Sequence, residues 1–230
     1  MSYIIAELPR LKGSEGIVQD GLFAEYRFDE SFGDTLTDYT GNNNHGTLGA
    51  GINKPTRVSN GILFSENNYI TLPNSVRDML SIDKSFTVTI AGITTVNTIL
   101  SSTISSTDRM AISVSIAIPK TIRGYMYKTE RRCVASQTFE DSMSNIITYS
   151  ADGIKGKMTV NNDSFRNGKI GLNPGATVGC RIGMNTTGTL PLEGTLYYML
   201  FYSRVLTDSE VLRNYRVLKN ILKLRGVIIG

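Results

Sequence analysis

The chain has 230 residues, 40% of them hydrophobic and 19% charged, which is too apolar for a disordered chain and long enough for one large core or two small ones. No apolar run approaches the roughly 18 residues that span a bilayer. Two cysteines cannot build a disulfide framework, and a single histidine excludes a His-rich metal site.

Residues 1–20 mix Pro9, Gly13 and Gly16 with the short apolar pieces Tyr3-Ile4-Ile5 and Ile17-Val18. They lack the basic start and long apolar stretch of a standard secretion signal and read as an extended arm. From residue 21 the chain reads as β. Candidate strands are Leu22 to Phe28, Gly61 to Phe64, Tyr69 to Leu72, Phe86 to Ile90, Arg109 to Ile118 and Thr121 to Lys128. Ile146 to Ala151, Lys157 to Asn161, Val178 to Met184 and Thr195 to Ser203 follow. β-Branched and aromatic residues fill these segments, and Gly, Asn, Asp or Ser clusters bound them. The stretch 109–118 alternates most cleanly. Met110, Ile112, Val114, Ile116 and Ile118 share one parity, and Arg109, Ala111, Ser113, Ser115 and Ala117 share the other. Side chains alternate faces along a strand, so this segment has one apolar face and one small, polar face. Many short strands separated by turn signals predict a sandwich rather than a βαβ fold.

One helix is predicted after this run. Thr207-Asp208-Ser209-Glu210 has the S/T-x-x-E form of a capping box. Leu212, Tyr215, Leu218 and Leu222 then recur at spacings of three and four, beside a basic stripe of Arg213, Arg216, Lys219 and Lys223. Gly226 is a suitable stop, and Val227-Ile228-Ile229 forms a short apolar end. Two readings stand: a helix docked on the sandwich with a solvated basic face, or a tail that docks on another protein. The net charge of +4 belongs to this end. Five basic residues and no acid follow Glu210, and removing them from the count leaves −1. The body therefore offers no basic groove for specific nucleic-acid binding.

Three segments in order carry a family resemblance. They are GLFAEYRFDESFGDTLTDYTGNNNHGTL (residues 21–48), GILFSENNYITLP with SFTVTIAGI (61–73 and 85–93), and EGTLYYMLFYSRVLTDSEVLRNY (193–215). The first holds Asp38, Gly41, Asn42, Asn44, Gly46, Thr47 and Leu48 in a D-x-x-G-N-x-N-x-G-T-L turn, and the last holds Tyr202, Arg204, Leu206, Thr207 and Glu210 in a closing Y-x-R-x-L-(S/T)-x-x-E pattern. Together they resemble the concanavalin A-like lectin/glucanase superfamily, in its laminin-G-like group. The resemblance implies an all-β fold: a jelly-roll β-sandwich of two antiparallel sheets, with one short C-terminal α-helix. The lead-in GIVQDGL and the helix ending N-Y-x-x-L-K more loosely resemble copies carried on bacteriophage virion proteins. The chain departs from the group in having no Trp, with Ala91 falling at the usual place, and in carrying Tyr197-Tyr198 where an acidic pair is common.

The superfamily includes glucan hydrolases, which hold two carboxylates on one strand face in an E-x-D-x-x-E pattern. No such pattern occurs here. Asp29-Glu30 and Glu140-Asp141 are adjacent pairs that a strand would send to opposite faces. A Ser-His-Asp or Cys-His site would have to use His45, which reads as a turn residue, and no G-x-S-x-G elbow exists. Cys180 reads as a buried thiol, and nothing favours its pairing with Cys133. The chain is therefore expected not to be an enzyme. Asp38, Asn42 and Asn44 are candidate calcium ligands, since hard cations take oxygen donors and relatives bind calcium. The same residues also suit Asx turns, with Gly41 and Gly46 at positive φ. Arg123, Tyr125 and Tyr127 share a strand face and are candidate sugar-binding residues, or else half-buried cross-strand partners.

These readings give three segments: an arm (1–20), the sandwich (21–206), and the helix with its tail (207–230). The expected function is that of a non-catalytic structural or decoration protein of a bacteriophage virion, capsid- or tail-associated. Its arms would hold it to capsid or tail subunits through Tyr3, Ile4, Ile5, Arg213, Arg216, Lys223, Val227, Ile228 and Ile229. A homo-oligomer is expected, located on the virion, with no membrane partner. The alternative is an extracellular or cell-surface lectin or adhesin module that recognises cell-surface glycans. No cofactor other than candidate calcium is expected.

Overall fold

The computed structural model describes residues 16–81, 83–105, 108–114, 121–128, 131–138, 143–161, 163 and 177–230. Two antiparallel sheets pack face to face as a jelly-roll sandwich, as the alternation predicts. The first, called here the helix-side sheet, contains β1 (Leu22–Tyr26), β4 (Thr56–Val58), β5 (Gly61–Phe64), β11 (Asn145–Ala151), β12 (Gly156–Val160) and β14 (Glu193–Tyr202). The far sheet contains β2 (Thr35–Leu36), β3 (Gly46–Leu48), β6 (Ile70–Thr71), β8 (Asp108–Val114), β9 (Thr121–Lys128), β10 (Arg131–Thr138) and β13 (Gly179–Ile182).

One strand belongs to both. β7 (Phe86–Ser105) pairs with β14 and β11 along its first half, then with β13 and β8 along its second. A shift in register between Thr98 and Leu100, beside Asn97 at φ +69°, marks the passage from one sheet to the other. Such irregularities bend and twist a strand. The far sheet then runs in the order β10-β9-β8-β7-β13-β6-β3-β2. A short helix, α1 (Asn74–Met79), follows Pro73 and sends Val76 and Met79 into the core.

The core between the sheets follows from parity. Met110 and Ile112 of β8, Leu100 of β7, Met126 of β9 and Ile182 of β13 face Phe201, Met199 and Tyr149 of the helix-side sheet, all buried. Tyr26 meets Phe201 edge-on at 5.7 Å, and Phe86 meets Tyr149 at 6.0 Å. Gly124 is required by this packing. A Cβ there would sit 2.4 Å from the Tyr149 ring, so only glycine lets β9 close over it. Cys180 is a free, buried thiol on the same side of β13, and burial pushes its pKa up to about 12. At neutral pH it is protonated and no nucleophile.

The outer surface of the helix-side sheet carries a second apolar cluster. Ala91, Ile146, Tyr198, Leu200 and Tyr202 lie beneath α2 (Asp208–Leu224). The capping box forms as predicted: Thr207 Oγ1 accepts from the Glu210 amide (3.3 Å) and Glu210 Oε2 accepts from the Thr207 amide (2.8 Å). The buried stripe differs from the predicted one in its first turns. Val211, Asn214, Leu218 and Leu222 are buried, while Tyr215 is half-buried. Asn214 is fully enclosed because it has partners. Its Oδ1 accepts from the Val18 amide (3.0 Å), its Nδ2 donates to the Tyr202 hydroxyl (2.9 Å), and that hydroxyl donates to the Val18 carbonyl (3.0 Å). Residues 17 and 18, read as the end of an extended arm, are thus built into the fold.

Candidate functional site

The Asp38 turn assembles, but as a knot of hydrogen bonds. Asp38 is buried. Its Oδ1 accepts from the amides of Glu25 (3.1 Å) and Thr40 (3.0 Å), and its Oδ2 accepts from the Asn44 amide (3.0 Å). The Thr40 hydroxyl lies 2.8 and 2.9 Å from the two oxygens. Asn42 and Asn44 both turn Nδ2 to the Phe23 carbonyl, at 3.1 and 2.8 Å, and Asn44 Oδ1 accepts from the Ser75 hydroxyl. N–H and O–H donors therefore already occupy both Asp38 oxygens and Asn44 Oδ1, so hydrogen bonds within the chain account for the turn. His45 Nδ1 accepts from the Asp38 amide (3.0 Å), so the one histidine also serves the turn. Gly41 takes positive φ (+85°) as expected. Gly46 does not; a Cβ there would lie 3.1 Å from the Ile70 and Leu72 side chains, a tight contact that glycine avoids.

The C-terminal end corrects another expectation. Val227 and Ile229 are buried against the helix-side sheet, and the Gly230 amide donates to the Ser144 carbonyl (3.0 Å). Their apolar surface is spent inside the fold, so they offer nothing to a partner. Ile228 alone of the three points outward, 79% exposed. Arg213 Nε donates to the Gly16 carbonyl (2.6 Å), while Arg216 and Lys223 are exposed. Tyr3, Ile4 and Ile5 lie outside the described residues.

The outer face of the far sheet remains. Directly opposed residues in antiparallel strands share a face. The registers Thr35↔Thr47, Thr47↔Thr71, Thr71↔Arg181, Arg181↔Ser101, Ser101↔Ala111 and Ala111↔Tyr125 therefore trace one row across seven neighbouring strands. A second row sets Thr103 opposite Arg109, and a third sets Arg123 opposite Ser136. Among the described strand residues of this face there is no Asp or Glu. Ser101, Thr103, Ala111 and Tyr125 form a buried floor, and Arg109, Arg123 and Arg181 are half-buried around it. The Arg181 guanidinium lies 4.5 Å from the centre of the Tyr69 ring, a cation–π contact that holds it in place. Thr103 and Thr186 share a hydrogen bond of 2.8 Å.

Of the three residues expected to bind sugar, Arg123 and Tyr125 belong to this face; the Tyr127 side chain lies outside the described residues. Tyr125 cannot stack on a ring, because it is 4% exposed and packs on Ala111. Burial pushes its phenol pKa well above the ordinary value, and the Arg109 guanidinium offsets part of that rise. The sequence reading missed Arg181, Ser101, Thr103 and Thr71. The signal was parity: Arg181 alternates with Cys180 and Ile182, and Thr71 with Ile70 and Leu72.

Such a face can hydrogen-bond and attract; it holds no described carboxylate pair and no base for hydrolysis. With the sheets and this polar face in view, the molecule belongs to the class of two-sheet jelly-roll β-sandwiches. No family model matches the chain, and no curated protein does. Solved structures do match. The botulinum neurotoxin serotype C1 binding domain superposes with a TM-score of 0.61 at 12% identity, covering 88% of this chain and 52% of that one. A botulinum neurotoxin type C structure, described as entering cells through interaction with two ganglioside molecules, gives 0.61 at 10% identity, covering 88% and 51%. Trypanosoma rangeli sialidase gives 0.61 at 14% identity, covering 88% and 33%. The chain thus spans about half the length of the toxin domains and a third of the sialidase. At these identities the likeness is one of fold.

Proposed function

We propose that this protein is a non-catalytic, lectin-like binding module that recognises cell-surface oligosaccharides through the outer face of its far sheet. One observation carries the reading: a row of Thr35, Thr47, Thr71 and Arg181 on β2, β3, β6 and β13 that reaches solvent on the outer face of that sheet, where the outer face of the opposite sheet is covered by its own helix. Sugar hydroxyls need many aimed donors and acceptors, and a sheet floor offers them in a fixed array. The neighbours add support, since one is described as a binding domain and another through its interaction with gangliosides. An extracellular site of action fits this role. The virion-decoration reading has less support, because Val227 and Ile229 turn inward and leave its C-terminal attachment only Ile228 and the basic residues of α2.

The test is an oligosaccharide array probed with the full chain and with Arg181→Ala. Binding to a subset of glycans, lost in the variant while its melting curve is unchanged, is the expected result. An array with no bound glycan, or binding equal in both proteins, would sink the proposal.

A further inference from the structure

We infer that the outward face of α2 docks an acidic segment of another protein, which sets carboxylates along Arg213, Arg216, Lys219 and Lys223 and apolar side chains on Leu224 and Ile228. This surface is separate from the row proposed above; α2 covers the outer face of one sheet and the threonines lie on the outer face of the other. The first argument is a contrast among cations. Arg27, Arg57, Arg77, Arg204 and Arg225 each reach a carboxylate at 3.2 Å or less. Among the described residues, none of the four cations along α2 has such a partner. Arg213 Nε donates to the Gly16 carbonyl (2.6 Å), Lys219 Nζ donates to the Tyr215 hydroxyl (3.1 Å), and Arg216 and Lys223 stand exposed. Arg213 and Arg216, then Arg216 and Lys219, are three apart, and Lys219 and Lys223 are four apart. Residues so spaced are neighbours on a helix surface, and like charges there repel. A row of carboxylates relieves that repulsion, and the stripe from Arg213 to Lys223 runs roughly 15 Å, about three turns of an acidic helix.

The second argument is apolar. Leu224 is 67% exposed and Ile228 79% exposed, directly past the last lysine of the stripe. Leu224 follows Arg213 by about three full turns, so the two share the outward side of α2. Exposed apolar side chains beside a charged stripe suit a protein contact, where apolar groups meet apolar groups inside a charged rim. A phosphate backbone offers Leu224 and Ile228 no such counterpart. A second copy docking by the same face would set cation against cation. The third argument is orientation. A chain held to a cell by oligosaccharides on its far sheet turns α2 away from that bilayer, so a protein rather than the membrane meets the stripe. This last step alone rests on the oligosaccharide-binding reading.

The experiment measures binding of the full chain to five probes. One is a helical peptide with glutamates at spacings of three and four and two leucines past the last of them. Two are the same peptide with Gln for Glu, and with Ser for Leu. The others are a single-stranded oligonucleotide of equal charge and phosphatidylcholine vesicles containing phosphatidylserine. The expected result is binding of the Glu-Leu peptide that weakens with added salt. Gln for Glu should cost about tenfold or more, and Ser for Leu about fivefold. Arg216→Glu combined with Lys223→Glu should cost about a hundredfold without lowering the melting temperature, since like-charge neighbours are lost. Leu224→Ser with Ile228→Ser should cost about fivefold. No binding of the Glu-Leu peptide, or equal binding of its Gln form, overturns the inference. So does equal binding of the oligonucleotide or the vesicles, which would show a general polyanion or lipid surface. Binding that survives the double charge reversal overturns it by placing the contact elsewhere. The charge-reversed chain should bind the oligosaccharide array as wild type does. An empty array beside intact peptide binding therefore sinks only the oligosaccharide reading, and the converse sinks only this one.

Discussion

The two outer faces of the sandwich are built by the same alternation and end in opposite states. On the helix-side sheet, outward positions are Ala91, Ile146, Leu200, Tyr198 and Tyr202, and α2 with the chain end covers them. On the far sheet, outward positions are Thr, Ser and Arg around a buried Tyr-Ala floor, and no described helix lies over them. An apolar outer face has to be covered, because exposed apolar area is costly in water. A hydroxyl- and guanidinium-bearing strip can stay in water, as Thr35, Thr47 and Thr71 do and Arg181 does in part. The Tyr202–Arg204–Leu206–Thr207–Glu210 pattern belongs to the first face. Arg204 grips both oxygens of Glu210 at 2.6 and 2.9 Å, Glu210 closes the capping box, and Tyr202 holds Val18. That pattern is a fastening for α2, not a binding motif.

If the division is right, damage to the covered face should show as lost stability and damage to the far face as lost binding. The largest effect is expected at Leu218, fully buried between α2 and the sheet. Leu218→Ala should cost about 2–5 kcal/mol in urea unfolding, from lost transfer energy plus the cavity left behind. A cost below about 1 kcal/mol would mean that the helix rests on the sandwich without being part of it. Asn214→Ala comes next. It leaves the Val18 amide without its acceptor and strips a donor from the Tyr202 hydroxyl, so a loss of about 1–3 kcal/mol is expected by the same measurement. Asn214→Ala with wild-type stability would show that water replaces the side chain and that residues 17–18 are not fastened.

How much of this was legible follows residue by residue. The strands around Met110 and Ile147 were readable because their apolar residues recur at period two, and the one around Tyr198 because residues 196–202 form an unbroken apolar and aromatic run. The helix start was readable because Thr207 and Glu210 carry their own local chemistry. β2, β3 and β4 were not, since two or three residues hold no period. β10 reads Arg-Arg-Cys-Val-Ala-Ser-Gln-Thr and has no apolar alternation to find. The length of β7 was hidden because its Thr and Ser residues stand on both parities. Asn214 was not found because a buried amide is invisible to a hydrophobic stripe; only its partners at Val18 and Tyr202 explain it. The candidate site was half legible. Parity marked the small, polar side of β8 and the side of β9 bearing Arg123. The row became a surface only when the register brought Arg181 and Ser101, about 80 positions apart in the chain, face to face.

The smallest effect separates a paired arginine from an unpaired one. The Arg204 guanidinium, with help from the Thr207 amide, pulls the Glu210 carboxyl down from 4.5 to about 2. A carboxyl whose pKa is lowered by folding stabilises the native state above its unfolded value, and that contribution fades as pH falls toward the folded value. Wild-type stability should therefore carry an acid-sensitive component between about pH 4.5 and 2. Arg204→Ala should remove most of it, so the gap between variant and wild type is full above pH 4.5 and closes on acidification. The pair is solvent-screened, so the gap should stay below about 1 kcal/mol. Arg181→Ala is the matched control. With no carboxylate partner among the described residues, its acid unfolding curve should run parallel to wild type across the same range. If the Arg181→Ala gap also closes on acidification, Arg181 has a carboxylate partner in the folded chain.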